Sequence, residues 1–446
     1  MSSSGRNEGV LTMKRRNLQI LPGVAMILLI AALPAHAAVR FQCPANLLTD
    51  GAGPGGVRID NVTGFATGET DDPNVLCIHL AAGDGFVNMA DKLRADAPGG
   101  WPQYIFGFSD MTGVPDNDVL SVAMLAANFS APTIKVREGQ DLYLTLTNVG
   151  MVMRPDLFDP HSVHYHGFPN ASVIFDGVPD SSVTAIPGAS FTYFYRNVDP
   201  GTYLWHCHVE ATEHMQMGML GNLYVLSAQD NTNPGGNCPS QKYAYTDGDG
   251  STCYDVDYPL QILGFDQKFH DKHIAVQPLP FAAMDDNYPM FNGRGYPETT
   301  LPGPPLPFPV DVDGVTPMNQ GHPSQKTSAL ITATQGQKIL LRLSSLSSTS
   351  FHNIEVLGIP MTVVGRDAKI LRGPSPDGGT TPGVNLFHGS NSMSLGGGQS
   401  ADIILDTTGV APGTYFVYAR ELNHMNNYRE RFGGMMTEIR IAAPAP

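Results

Sequence analysis

The sequence predicts an all-β protein built from two copies of one Greek-key β-sandwich. Only 15% of its 446 residues are charged, while 48 are Gly and 36 are Pro. That balance favours short strands joined by turns over long helices. Ala131 to Thr147 alternates apolar and polar residues at period two on both sides of a turn at Gly139, which reads as two half-buried strands. The second half then repeats the first. Gly139-Gln140-Asp141-Leu142 is echoed by Gly336-Gln337-Lys338-Ile339, His161 and Gly167 by His352 and Gly358, and Pro200-Gly201-Thr202-Tyr203 by Pro412-Gly413-Thr414-Tyr415.

In chain order, Met13-Lys14-Arg15-Arg16, the apolar run Leu18 to Leu33 and Ala35-His36-Ala37 predict a secretory signal peptide over 1–37, cleaved after Ala37. Export would put the mature chain in the periplasm or outside the cell. Beyond that leader no stretch is long and apolar enough to span a bilayer, so no membrane partner is expected after cleavage. Residues 38–73, rich in Gly, Asp and Asn, read as an irregular N-terminal arm. The first domain is expected over 74–228, with apolar runs at Val75 to Leu80, Tyr104 to Phe108, Phe191 to Tyr195 and Thr202 to Trp205. Residues 229–254, dense in Gly, Asn, Asp and Pro, read as a linker. Within it Asp247-Gly248-Asp249-Gly250 lacks the later bidentate Glu of a calcium loop, and a hairpin turn is the better reading. The second domain is expected over 255–446.

Without residues 1–37 the chain keeps 22 basic and 40 acidic groups, a formal charge of −18. So acidic a surface is a poor partner for nucleic acid and suits cations better. Of the five cysteines, four surround Cys207 as an even remainder, which in an exported chain favours two disulfides. Cys43 with Cys77 and Cys238 with Cys253 is the simplest pairing by proximity, with the other two connectivities left open.

The chemistry gathers at His206-Cys207-His208, followed by His214 and Met219. A thiolate, imidazoles and a weak thioether form the donor set of a blue-copper electron-transfer site. Cys207 and His214 supply two strong ligands and Met219 the long axial one. The third strong ligand must come from elsewhere, and His161 in His161-Ser162-Val163-His164-Tyr165-His166-Gly167 offers it. Alternate residues of a strand face the same side, so Cys207 points one way and His206 and His208 the other, with His164 and His166 as their partners. One strand can then bind a copper ion through its thiolate and present imidazoles to a second centre behind it.

These residues carry a resemblance. The order His-x-x-His-x-His-Gly, then His-Cys-His, His and Met, is similar to the multicopper oxidase family, with five residues between His208 and His214 where the family pattern has three. The resemblance implies cupredoxin-like domains and type 1 copper at His161, Cys207, His214 and Met219. It also implies that His164, His166, His206 and His208 belong to a further centre of type 2 or type 3 copper, and that Asp176 is the carboxylate handling solvent protons; the bland reading of Asp176 is a turn residue before Gly177. In the second copy Glu355, Leu357, Tyr418, Ala419 and Arg420 replace His164, His166, His206, Cys207 and His208, so that domain keeps the fold and loses the ligands. The leading expectation is a copper oxidoreductase taking electrons from a small-molecule or metal-ion reductant and passing them through His206-Cys207-His208 to a second copper centre and an acceptor such as oxygen, in a homo-oligomer. A non-catalytic copper carrier and a nitrite-reducing enzyme are the alternatives. His352 reads as a buried structural histidine. His270, His273, His322, His388 and His424 read as surface or loop residues. Met215, Met217, Met425, Met435 and Met436 gather near the ligand-bearing strands, where core packing is the commoner use of methionine and Cu(I) binding the sharper one.

Overall fold

The strands of the first half form two sheets. One runs Phe65–Ala66, Thr133–Arg137, Leu220–Leu226, Gly201–His206, His164–Tyr165; the other runs Pro102–Asp110, Val75–Asn88, Asp141–Gly150, Ser190–Arg196. Alternate residues of each, among them Leu76, Ile78 and Leu80, Leu142, Leu144 and Leu146, and Tyr203 and Trp205, meet in one buried core. This is the period-two pattern read from the sequence, and each fully buried Leu of that core is worth about 1.5–3 kcal/mol. The computed structural model describes residues 38–48, 65–66, 68–91, 102–168, 172–196, 199–301, 306–311, 313–378 and 381–445, so the expected signal peptide lies outside the described residues. No helix among the described residues is long and apolar enough to cross a membrane.

The second half repeats the arrangement. Ile331–Thr334, Met436–Ala442, Gly413–Ala419 and His352–Leu357 lie side by side in the order of Thr133–Arg137, Leu220–Leu226, Gly201–His206 and His164–Tyr165 in the first half, with Met393–Leu395 added beyond His352–Leu357. Register confirms the equivalence residue by residue. His164 pairs with His206 and Tyr165 with Trp205 in the first copy; Glu355 pairs with Tyr418 and Val356 with Val417 in the second. Where imidazoles stand in the first copy, Arg420 and Glu355 form an ion pair at 3.1 Å in the second.

Two stretches are more ordered than the sequence suggests. Inside the expected irregular arm, Phe65–Ala66 pairs in parallel with Thr133 and Ile134 and forms an edge strand, while the Cys43–Cys77 disulfide ties the chain before it to Val75–Asn88. The expected linker 229–254 is packed rather than loose. Tyr243, Ala244, Tyr245 and Tyr254 are buried, Cys238 and Cys253 are bonded, and the Asp247 carboxylate accepts the N–H groups of Gly250 and Thr252 at 2.7 and 2.6 Å in a capped turn. Gly and Asn marked where this segment turns; its tyrosines carry the apolar surface that seats it.

That segment helps to seal a polar seam between the sandwiches. Tyr245 donates its hydroxyl to Asp402 Oδ2 at 2.5 Å, Thr202 donates to Asp402 Oδ1 at 2.6 Å, and Ser400 donates to the Thr202 carbonyl at 2.7 Å. Arg342, fully buried, lies 3.2 Å from Asp257 and 3.8 Å from Asp402, with its guanidinium 4.9 Å from the Tyr224 ring. Removing one partner of such a group strands the others without compensation. Arg342→Ala is therefore expected to cost about 3–5 kcal/mol of stability, read by denaturant unfolding. An unchanged midpoint would mean that the seam is solvated.

Candidate metal centre

Cys207 follows the strand Gly201–His206, and its Sγ lies 3.2 Å from His214 Nδ1 and 3.8 Å from His161 Nδ1. All three side chains are buried, and so is that of Met219. The two extra residues between His208 and His214 are absorbed by a helix, Ala211–Met217, which carries His214 in its last turn. Gly218 ends it at φ 117°, donating to the His214 and Met215 carbonyls, and a Cβ there would press on the Phe106 carbonyl and the Phe129 ring. The chain can then reverse so that Met219 N–H reaches the His214 carbonyl at 2.8 Å and Cys207 N–H reaches the Met219 carbonyl at 3.0 Å.

Burial keeps the donors of this group uncharged. Burial pushes the Cys207 thiol up to about 11, pushes His214 down to about 4, and holds His161 well below the usual imidazole range. Both rings thus keep free lone pairs at neutral pH, and the outer nitrogens, His161 Nε2 and His214 Nε2, have no hydrogen-bond partner within the protein. Two neutral imidazoles and a buried thiol in one group, with the backbone of a methionine hydrogen-bonded to two of them, suit a borderline-to-soft metal.

On the other side of the strand, His164, His166 and His206 bring one ring nitrogen each within 4.8 Å of one another. His166 Nε2 and His206 Nε2 are 3.1 Å apart. Backbone carbonyls fix two of the tautomers: His164 Nδ1 donates to the Asp176 carbonyl at 2.6 Å and His206 Nδ1 to the Cys207 carbonyl at 2.7 Å. His166 is hydrogen-bonded to the backbone of Gly398, so the second sandwich orients a ring of the first. Gly398 sits at φ 88°, and a Cβ there would stand 3.1 Å from the His166 ring. This is the outer-shell arrangement that aims the remaining nitrogens at a common point. Burial lowers His166, and pushes His206 down to about 3, so these rings too are neutral.

The other expected residues separate. His208 stacks on His206 at 5.6 Å and meets His164 edge-on at 4.9 Å, outside the group of three. Asp176 is half-buried, with Oδ1 3.6 Å from His164 Nδ1, and lines a cleft of about 590 Å³ that also meets His166, Tyr203 and Asp367. Met217, Met435 and Met436 are core residues, whereas Met215 faces the neighbouring cleft with His166 and His206. The surface reading fails for three histidines. His270 and His273, on the helix Gln267–Ile274, and His424 are buried. His273 Nε2 meets Glu213 at 2.8 Å, and Asp159 Oδ2 lies 4.0 Å from His214 Nε2. Nothing local marks these contacts in the sequence, since they depend on a helix returning from over fifty residues away.

Two family models described as "Multicopper oxidase" match residues 110–230 and 281–437. The multicopper oxidase elcG of Phaeosphaeria nodorum is 27% identical over 130 residues, 29% of this chain and 19% of its own length. The multicopper oxidase MmcO of Mycobacterium tuberculosis is 31% identical over 120 residues, 26% of this chain and 21% of its own length. The matched region thus spans about a fifth of these relatives. Among solved structures, the blue copper oxidase from Nitrosomonas europaea aligns with a TM-score of 0.54 at 22% identity, covering 81% of this chain and 85% of that one, which is a likeness of fold. With family matches on both sandwiches and a donor set that suits the family's metal, copper, the chain belongs to the multicopper oxidase family.

Proposed function

We propose that the protein is a copper-dependent oxidoreductase that takes electrons one at a time from a small-molecule or metal-ion reductant and delivers them to oxygen. His161, Cys207, His214 and Met219 hold the entry site, and His164, His166 and His206 the exit site. Copper, cycling between two oxidation states, supplies the one-electron chemistry when bound. The observation that carries the reading is the adjacency of His206 and Cys207. Their side chains serve different donor groups, one peptide bond apart, and His206 Nδ1 also donates to the Cys207 carbonyl at 2.7 Å. A covalent route and a hydrogen-bonded one therefore join the two sites.

Asp176, lining the cleft beside His164, is the proposed carrier of protons from solvent to the exit site. Export through the predicted leader, and a homo-oligomer in which His208 meets a neighbouring chain, belong to the same proposal. The mass of the secreted chain and sedimentation velocity read them.

The test separates an oxidase from a carrier. Anaerobic reductant should bleach the thiolate-to-copper colour, and admitting oxygen should restore it over repeated cycles. Colour bleached by reductant and untouched by oxygen overturns the oxidase reading and leaves an electron carrier. Met219→Leu addresses the entry site alone: a weak axial thioether tunes potential more than occupancy, so the variant should keep its copper and show a higher reduction potential in a redox titration. An unchanged potential would mean that the Gly218 reversal does not place this residue at the metal.

A further inference from the structure

The second sandwich retains more of the entry site than its sequence suggests. Ala419 N–H donates to the Met435 carbonyl at 2.9 Å, as Cys207 N–H does to Met219 at 3.0 Å. Met435 N–H donates to the His424 carbonyl at 2.9 Å, as Met219 N–H does to His214 at 2.8 Å. Together with the strand register, these bonds set His352, Ala419, His424 and Met435 in the places of His161, Cys207, His214 and Met219. Three of the four donors survive, and only the thiolate is gone.

The surviving histidines are arranged as ligands are. His352 Nδ1 and His424 Nδ1 face each other at 3.1 Å, with ring centroids 4.6 Å apart. His352 is 1% exposed, His424 7%, and Ala419 and Met435 are fully buried. His352 Nε2 has no hydrogen-bond partner within the protein, the same condition as His161 Nε2 and His214 Nε2 in the first copy. The Glu421 carboxylate lies 3.7 Å from His424 Nδ1 and can balance one positive charge.

We propose that the second sandwich is itself a metal site, a colourless one. There His352 and His424 bind a cuprous ion through Nδ1, with Met435, at the chain position of Met219, as the thioether. Neutral imidazole and thioether donors without a thiolate suit Cu(I) better than a divalent ion, and a site without thiolate has no strong visible band to report it. The proposal rests on the first sandwich being a copper site, because the comparison runs through it. The Cys207 colour of the native chain reads that premise separately.

The test uses the full chain carrying Cys207→Ser, titrated with Cu(I) under argon against a chromophoric chelator. Adding His352→Gln and His424→Gln should lower the bound copper by one ion per chain, and the same two substitutions in the native chain should leave the Cys207 colour unchanged. Equal Cu(I) counts with and without the two substitutions overturn the proposal. A gain-of-function variant checks the geometry independently: Cys207→Ser with Ala419→Cys restores a thiolate beside the histidine pair, and loading it with Cu(II) should return a visible charge-transfer band. A folded, copper-loaded variant that stays colourless also overturns the proposal. One added sulfur in that core costs about 1–3 kcal/mol; should the chain fail to fold, the histidine substitutions decide alone.

Discussion

Copper-loaded Cys207→Ser is expected to lose the strong visible absorption of the native protein completely, together with its oxidation of reductants. Cys207 is the single free cysteine, since Cys43–Cys77 and Cys238–Cys253 are bonded, so no other thiolate can stand in. Serine keeps the size and the Ser162 N–H contact, which reaches Sγ at 3.4 Å, but its hydroxyl does not ionise in the working range and is a hard donor. The variant should fold, because a buried thiol and a buried hydroxyl differ little in volume. An absorption spectrum of the loaded pair is the check, and a native protein without colour at full loading would remove the entry site from the account.

His166→Ala should produce the opposite split: colour kept, oxygen turnover lost. His166 belongs to the exit group, 3.1 Å from His206 and away from the Cys207 pocket, and its removal leaves two imidazoles where three converge. Losing even an outer-shell partner of a metal ligand costs about 10–100-fold in affinity or activity, so losing the ligand should lower turnover by at least about 100-fold. Metal analysis should show one copper fewer per chain with the visible band intact. Three coppers lost at once would mean that this face carries a full cluster completed by another chain, and no change in copper or turnover would reduce the three histidines to packing.

Much of this was legible in the sequence because it is local. Alternation along Asp141–Gly150 and Gly201–His206 reports which face each side chain takes, and the echo of one half in the other reports that the sheet order is used twice. The opposition of Cys207 to His206 follows from a strand's two-residue period. Other features carry no local signature. The edge strand Phe65–Ala66 exists only because Thr133–Arg137 has an open side, and the burial of His270 and His273 requires Gln267–Ile274 to dock on the first sandwich. His352 and His424 each look ordinary until folding sets their Nδ1 atoms 3.1 Å apart.

By itself, then, the sequence determined the all-β class, the doubled domain, the nature of the donor atoms and the strand that divides them between two side-chain groups. Those properties depend on residue chemistry and on backbone spacing over a few positions. Tertiary structure alone decided which three histidines converge, that Gly398 of the second sandwich orients His166 of the first, and that Arg342 is held by Asp257 and Asp402 at the seam. Each of these is a meeting of segments separated by tens to hundreds of residues, and such meetings are set by how sheets pack, which no local spacing encodes.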